Sequence, residues 1–357
     1  MKSVYIQQTI IPDYRVLFFE LLQGEWLDFR VYAGDSNFGG SPVSAPDLWN
    51  TYHHISNRYL LRGRFLWQPT LSKDFLSADV AILNANQRIL SNYLILIVRR
   101  ALRRKTLLWG HAEGRHRLAR FFRGFFMRLS SGFIAYTESQ SEYLRNCYPW
   151  LRTWVAPNAC LSTSDCVPIV VRLDELDCVL YVGRLVSEKK VCLLLEAFIY
   201  AREHSLLSDE VRLVIVGEGA ERAPLEQRIA AAKVEGSVVL AGHVSDVGEL
   251  RRYYARSFCS VSPGYVGLSA TQSFGFGVPM IVARDESHSP EIEACIDGFN
   301  ATFFTSNDVQ SLAQELARSY ALREGTLAQR GEIARWTAEH YSFEAMRDTF
   351  VEAVKSC

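Results

Sequence analysis

A chain of 357 residues is long enough for two domains of ordinary size. Hydrophobic residues make up 48% and charged residues 22%, which supplies two cores and excludes a disordered chain. The formal net charge of zero argues against a nucleic-acid partner held by overall electrostatics. The eight cysteines form no CxxC pair and match neither zinc-ligand spacing nor a compact disulfide framework, so reduced thiols in a cytoplasmic compartment are expected.

The N-terminal MKSVYIQQTIIPDYRVLFF lacks the apolar core and cleavage site of a signal peptide. VYIQQT reads as a strand, and DYRVLFFELLQ has helical spacing. FRVYA (29–33), ADVAILN (78–84), KTLLWG (105–110) and GFIAYT (132–137) read as further strands with helical patterns between several of them. Such alternation predicts a parallel sheet covered on both faces. The longest aliphatic run, YLILIV at 93–98, is too short to cross a bilayer, so a soluble or peripheral protein is expected. Residues 99–128 hold ten Lys or Arg and a single acid, Glu113, with Phe and Leu interleaved. That composition suits an anionic membrane surface, or else a solvated helix whose Phe residues are core. No RNA or DNA module accompanies it.

Pro157–Asp177 interrupts the alternation, and the domain boundary is placed near residue 165. The predicted domains are 1–165, 166–335, and a closing helical segment, 336–357, that packs back toward the first. In the second half VLYVGRL (179–185), VRLVIVG (211–217), SVVLAGHV (237–244), FCSVSP (258–263) and PMIVAR (279–284) read as strands. VCLLLEAFIYARE (191–203), APLEQRIAAAK (223–233) and a segment after Gly267 read as helices. This is a second doubly wound domain. The final amphipathic helix is expected to break near Tyr341-Ser342.

The sharpest chemical signal is VGRLVSEKK at 182–190. A strand ends at Gly183, Arg184 follows, Lys189 comes five residues later, and a helix starts at once. Ligands of such sheets bind beyond the carboxyl ends of the strands. Arg and Lys placed there can neutralise the charge that develops on a departing diphosphate. Taken alone, the segment is also compatible with a surface loop bearing two solvated cations. Gly217-Glu218-Gly219 lacks the third glycine of a dinucleotide fingerprint, so an NAD site is not expected.

With VIVGEGAERAPLEQRI, LAGHV and HYSFEAMRDTF following in order, the second half resembles the retaining family 4, or group 1, glycosyltransferases. The likeness covers roughly residues 178–350 well and the first half loosely. It implies the α/β GT-B fold, with two Rossmann-like doubly wound domains facing a central cleft. It also implies a retaining transferase that takes a nucleotide diphosphate sugar as substrate, with no cofactor and no metal. The implied acceptor is a glycan or lipid-linked glycan in the assembly of a cell-surface polysaccharide, such as lipopolysaccharide or capsule, at the inner face of the membrane. The resemblance places Arg184 and Lys189 on the diphosphate, Gly183 and Gly217 beside the donor, and His243 and Val244 at the base, although His243 also reads as a loop histidine. His111, just past a strand in LLWGHAEG, would reach the donor sugar, or stand as a structural histidine beside Trp109. Asp13 and Arg15 are acceptor-side candidates by position.

One departure stands out. The family has two glutamates with seven residues between them before a G-x-P turn; here Gly264 and Gln272 fall at those positions. Gln272 can still bond a ribose diol through its neutral amide. Gly267, Leu268 and Ser269 would open a helix whose N-terminal N–H groups favour an anion. Ser289-Pro290-Glu291 reads as a helix start with Ser as N-cap. No Asp-x-Asp motif is present. The altered glutamates leave open a non-catalytic relative that binds a nucleotide sugar or a partner.

Overall fold

The computed structural model describes residues 2–23, 27–38, 44, 52–111 and 117–357, and of residues 117–122 the backbone alone. Residues 112–116, within the basic stretch, lie outside the described residues. The chain divides into two compact units, Met1–Asn158 with Phe343–Cys357, and Ala159–Ser342.

Unit 1 contains β1 (Lys2–Gln8), α1 (Val16–Leu21), β2 (Leu27–Ala33), β3 (His53–His54), β4 (Arg58–Leu60), β5 (Phe65–Trp67), α2 (Lys73–Ser77), β6 (Val80–Asn84), α3 (Leu90–Ala101), β7 (Lys105–Gly110), α4 (Arg117–Leu129), β8 (Gly132–Ala135), α5 (Glu138–Cys147) and β9 (Thr153–Val155). Seven strands form one parallel sheet in the order β3-β2-β1-β6-β7-β8-β9, and β4 and β5 pair as an antiparallel hairpin. Its strands are near-continuous apolar runs because helices cover both faces. Turn chemistry sets the helix starts: the hydroxyls of Ser72 and Thr137 accept the backbone N–H groups of Phe75 and Gln140.

Unit 2 contains β10 (Cys178–Val182), α6 (Val191–Glu203), β11 (Arg212–Val216), α7 (Arg222–Ala232), β12 (Val238–Gly242), α8 (Val247–Arg256), β13 (Ser257–Ser262), α9 (Ser269–Gly275), β14 (Met280–Ala283), β15 (Ala301–Phe304), α10 (Val309–Ala321) and α11 (Arg323–Tyr341). The sheet order is β12-β11-β10-β13-β14-β15, all parallel. The division between units falls earlier in the chain than residue 165, because Leu161 and Cys166 are buried in the core of unit 2 with Leu180, Tyr254 and Phe276.

The expected helical break is at Ser342, whose extended backbone separates α11 from α12 (Phe343–Lys355). The α12 helix belongs to unit 1. Its Phe350 meets Phe18 and Trp109 edge-on at centroid distances of 5.1 and 4.8 Å, contacts worth about 0.5–1.5 kcal/mol each beyond the area they bury. Arg152 donates to the carbonyl of Ser356, closing the helix end against the same unit.

Arg99 does not belong with the surface cations of the basic stretch. It is fully buried, and its guanidinium donates to Thr106 Oγ1 and to the carbonyls of Phe75, Leu76, Ala78 and Lys105. Burial lowers its pKa to about 10, so it stays charged at neutral pH and ties α2, α3 and β7 together. Arg123 on α4 is buried as well. Among the described residues, no helix is long and apolar enough to cross a membrane.

Candidate active site

The order of the unit 2 sheet reverses between β10 and β13, so a crevice opens beyond their carboxyl ends. The loops after these strands bring together most of the residues read from the sequence. Gly183 accepts β11 closely: its N–H bonds to Val216 O at 3.0 Å, and a Cβ on Gly217 would lie 1.9 Å from Gly183 O. Gly217 has φ +147 and donates to Gly242 O at 2.7 Å. That bond sets the β11 turn beside the β12 turn carrying His243 and Val244. His243 is exposed, and Val244 is half-buried against the core.

Lys189 ends a 3-10 turn, Ser187–Lys189, and is only 9% exposed. Its ammonium donates to Tyr265 O at 2.9 Å and lies 3.6 Å from the centre of the Tyr265 ring. Burial, then the neighbouring Arg184 charge, lowers its pKa to about 8, while Glu291 opposes the shift. Arg184 is exposed, and its guanidinium donates to the Tyr265 hydroxyl at 3.2 Å. Tyr265 thus links the two cations that the sequence singled out. It was not itself read as a site residue. The signal available was its place one residue after Gly264.

Gly264 is buried against the Glu188–Lys189 backbone: an added Cβ would lie 2.2 Å from Glu188 O. The glycine therefore allows one loop to pack on the other, and a side chain there requires a backbone shift. Gly267 faces the same ammonium, at 3.5 Å from where its Cβ would be. Leu268 is the N-cap of α9, and Ser269 its first residue. Gln272 is half-buried and accepts through Oε1 from the hydroxyl of the fully buried Tyr254 at 3.3 Å. That bond turns the amide N–H groups away from Tyr254.

A second missed residue, His288, holds the loop from outside. Its Nδ1 accepts Val266 N–H at 3.0 Å, and its Nε2 donates to Ala283 O at 2.9 Å. Burial lowers its pKa, in keeping with the neutral ring that this bonding requires. Ser289 differs from expectation. It stands at the N-cap with Pro290 after it, but its hydroxyl makes no cap bond, and the element is a 3-10 turn, Pro290–Ala294. The tight 3-10 geometry is shorter than the helix expected there.

His111 lies in unit 1, just beyond β7, with its ring 5.0 Å from that of Tyr136. It lines a polar cavity of about 520 Å³ with Gln8, Arg15, Asn84 and Arg123. Arg15 donates to Tyr136 Oη and Asn158 Oδ1 at 3.0 and 3.1 Å. Asp13 is exposed and does not line it.

Solved structures share this architecture over the whole chain. HepE of Anabaena, solved with UDP, is 16% identical, with a TM-score of 0.71 and 100% of both chains covered. A glycosyltransferase from Rickettsia africae is 14% identical, with a TM-score of 0.72, covering 99% of this chain and 98% of that one. The lipopolysaccharide outer core galactosyltransferase WaaB is 14% identical, with a TM-score of 0.67 and coverage of 100% and 99%. No curated protein matches the sequence. The fold is that of the GT-B glycosyltransferases, with two Rossmann-like units. Residues 170–335 match the family described as glycosyl transferases group 1.

Proposed function

We propose that the protein transfers a sugar, with retention, from a nucleotide diphosphate sugar to an acceptor hydroxyl. The observation that carries this reading is the Arg184–Tyr265–Lys189 constellation at the point where the unit 2 sheet reverses. In the reaction the bond from the anomeric carbon to the diphosphate oxygen breaks, and its electron pair leaves with the diphosphate. The acceptor oxygen bonds to the same face of that carbon, and its proton passes to the departing diphosphate. Two cations already fixed near the leaving group stabilise its charge without reorganising. The cations do the work that a divalent metal does elsewhere, so we expect donor binding without metal or cofactor.

Gly183, Gly217, His243 and Val244 border the nucleotide in this reading, Gln272 bonds the ribose, and Gly264, Gly267, Leu268 and Ser269 form the wall near the diphosphate. His111 is assigned to the transferred sugar. HepE was solved with UDP and with UDP-glucose, which makes uridine the first base to test. The acceptor is a glycan or lipid-linked glycan of a cell-surface polysaccharide, and the name of WaaB points the same way. Exposed Leu94, Ile97, Leu102 and Phe125 stand with exposed Arg100, Arg103 and Arg128 in unit 1, which supports peripheral binding to an anionic inner membrane face. Vesicle flotation tests that point: equal recovery on neutral and anionic vesicles counts against it.

The deciding experiment screens UDP-, GDP- and dTDP-sugars against lipid-linked acceptors extracted from cells. Turnover by the intact protein that Arg184→Ala and Lys189→Ala abolish is expected. Folded protein that binds a nucleotide yet turns over no donor with an authentic acceptor would identify a binding module instead.

A further inference from the structure

The cavity of unit 1 carries chemistry that the donor reading does not use. It lies where the unit 1 sheet reverses, between β1 and β6, with Gln8 at one strand end and Asn84 at the other. Among the described residues no Asp or Glu lines it, whereas Arg15, Arg88, Arg123 and His111 do. Arg88 is committed to Gly63 O and Arg64 O, and Arg15 to Tyr136 and Asn158.

Arg123 differs from both. It is 5% exposed, on the inward face of α4 with Phe126 and Met127, and has neither a hydrogen bond nor an ion pair among the described residues. Burying an arginine without a carboxylate or carbonyl partner is costly, so such a group is kept where a ligand completes it. Arg99 shows the alternative in the same unit, with every guanidinium nitrogen bonded to protein oxygen. A second donor points the same way. Gln8 is 4% exposed; its Oε1 accepts from Asn84 at 3.4 Å, while its buried Nε2 has no partner. Two unspent donors, one cationic, facing a cavity whose described lining holds no acid, define a site for an anion with several acceptor oxygens.

We propose that this cavity binds an anionic group of the acceptor, a phosphate or a carboxylate, with Arg123 as its principal contact and Gln8 as a second donor. The proposal rests on the donor reading of unit 2 in one respect: Arg184 and Lys189 already serve the diphosphate, so the anion in unit 1 comes from the other substrate. The acceptor class is thereby narrowed to glycans or lipid-linked glycans that carry negative charge.

The test uses the full chain and needs no turnover, so failure of glycosyl transfer would leave its result standing. Inorganic phosphate, galactose 6-phosphate and glucuronic acid are titrated calorimetrically, with and without saturating UDP. At least one is expected to bind in the presence of UDP, and Arg123→Gln should weaken that binding roughly tenfold, the loss of one charge-assisted pair. UDP affinity should stay unchanged. Arg123→Met should raise the melting temperature of ligand-free protein, because an unpaired buried charge is removed. Anions excluded as soon as UDP is bound would show that the donor fills the cavity. Unchanged anion binding by Arg123→Gln, no anion binding at all, or a lower melting temperature for Arg123→Met would each overturn the proposal.

Discussion

The two units are built on one strand pattern and use it differently. In each, two strands are added on one side of the first and the rest on the other, so a crevice forms beyond β1 and β6 in unit 1 and beyond β10 and β13 in unit 2. In unit 2 the crevice is made of loops packed backbone on backbone. Gly217 lies against Gly183, Gly219 against Leu185 and Gly264 against Glu188, and the buried cation is braced by a carbonyl and an aromatic ring. In unit 1 the crevice is an open polar cavity lined by long side chains, with a buried cation that no described residue braces. The shared topology says where a ligand sits; the loop residues say what it is. Rigid, glycine-packed loops suit one invariant group such as a diphosphate. A cavity of amides and arginines suits a partner that supplies its own acceptors.

The largest effects should come from the unit 2 cations. Arg184→Ala or Lys189→Ala should lower turnover about 10²–10³-fold, the roughly 3–4 kcal/mol associated with one preorganised donor to a developing anion. Steady-state kinetics with a turned-over donor checks this, and wild-type rates in either variant would remove the assignment. Next is Gly264→Glu, which restores the acid found in the family. Its Cβ would meet Glu188 O at 2.2 Å, so the loop must shift. Overpacking of this kind costs about 1–3 kcal/mol. A lower melting temperature and weaker nucleotide binding are therefore expected. A variant as stable as the parent, with improved turnover, would show that the glycine is a mere loss of function and not a packing requirement.

Much of unit 2 was legible because hydrophobic runs, glycines and charges coincide in short windows. VCLLLEAFIYARE became α6 over the residues expected, and PMIVAR contains β14. Short elements were not legible. β15 (ATFF) and β9 (TWV) are too brief to show periodicity, and β3 is the pair His53–His54. Tyr265 and His288 were missed for another reason. Each acts through a contact distant in sequence, Tyr265 with Lys189 and His288 with Val266, and pairing of that kind leaves no local pattern. In the basic stretch, composition counts charges without saying which way they face. Arg99 and Arg123 both turn inward.

A smaller effect is expected at Gln272. Its Oε1 is held by Tyr254, so the amide N–H groups remain to donate to a ribose hydroxyl. Gln272→Ala should weaken nucleotide binding about tenfold, or about 1.4 kcal/mol. Gln272→Glu tests the same geometry with the family's acid: it accepts where Gln donates, and it puts a carboxylate against the Tyr254 hydroxyl. If affinity for UDP is the same in all three proteins, the residue lies outside the nucleotide site. Tyr254→Phe should give a fraction of the Gln272→Ala effect, since it frees the amide without removing it.

The smallest effect, and the one that separates a braced cation from an exposed one, is the pH dependence of nucleotide binding. Burial and Arg184 bring the Lys189 pKa down from 10.5 to about 8, with Glu291 holding it up in part. At pH 7 the ligand-free ammonium is mostly charged; at pH 8 about half of it is neutral. A diphosphate binds the charged form, so its affinity should fall as pH rises through 8, by about twofold between pH 7 and 8 and more beyond. By the same linkage, binding at pH 8 takes up about half a proton, and binding near pH 6.5 takes up almost none. The sign for folding is opposite. The unfolded lysine keeps its ordinary pKa, so between about 8 and 10.5 it holds more protons than the folded one, and ligand-free stability gains from this group as pH rises. Lys189→Arg removes the effect at its source, because a guanidinium stays charged throughout this range. Calorimetric titrations in two buffers of different ionisation enthalpy measure the uptake directly. Affinity that is flat from pH 6.5 to 9 in the parent protein, with no proton uptake, would mean that Lys189 does not touch the diphosphate.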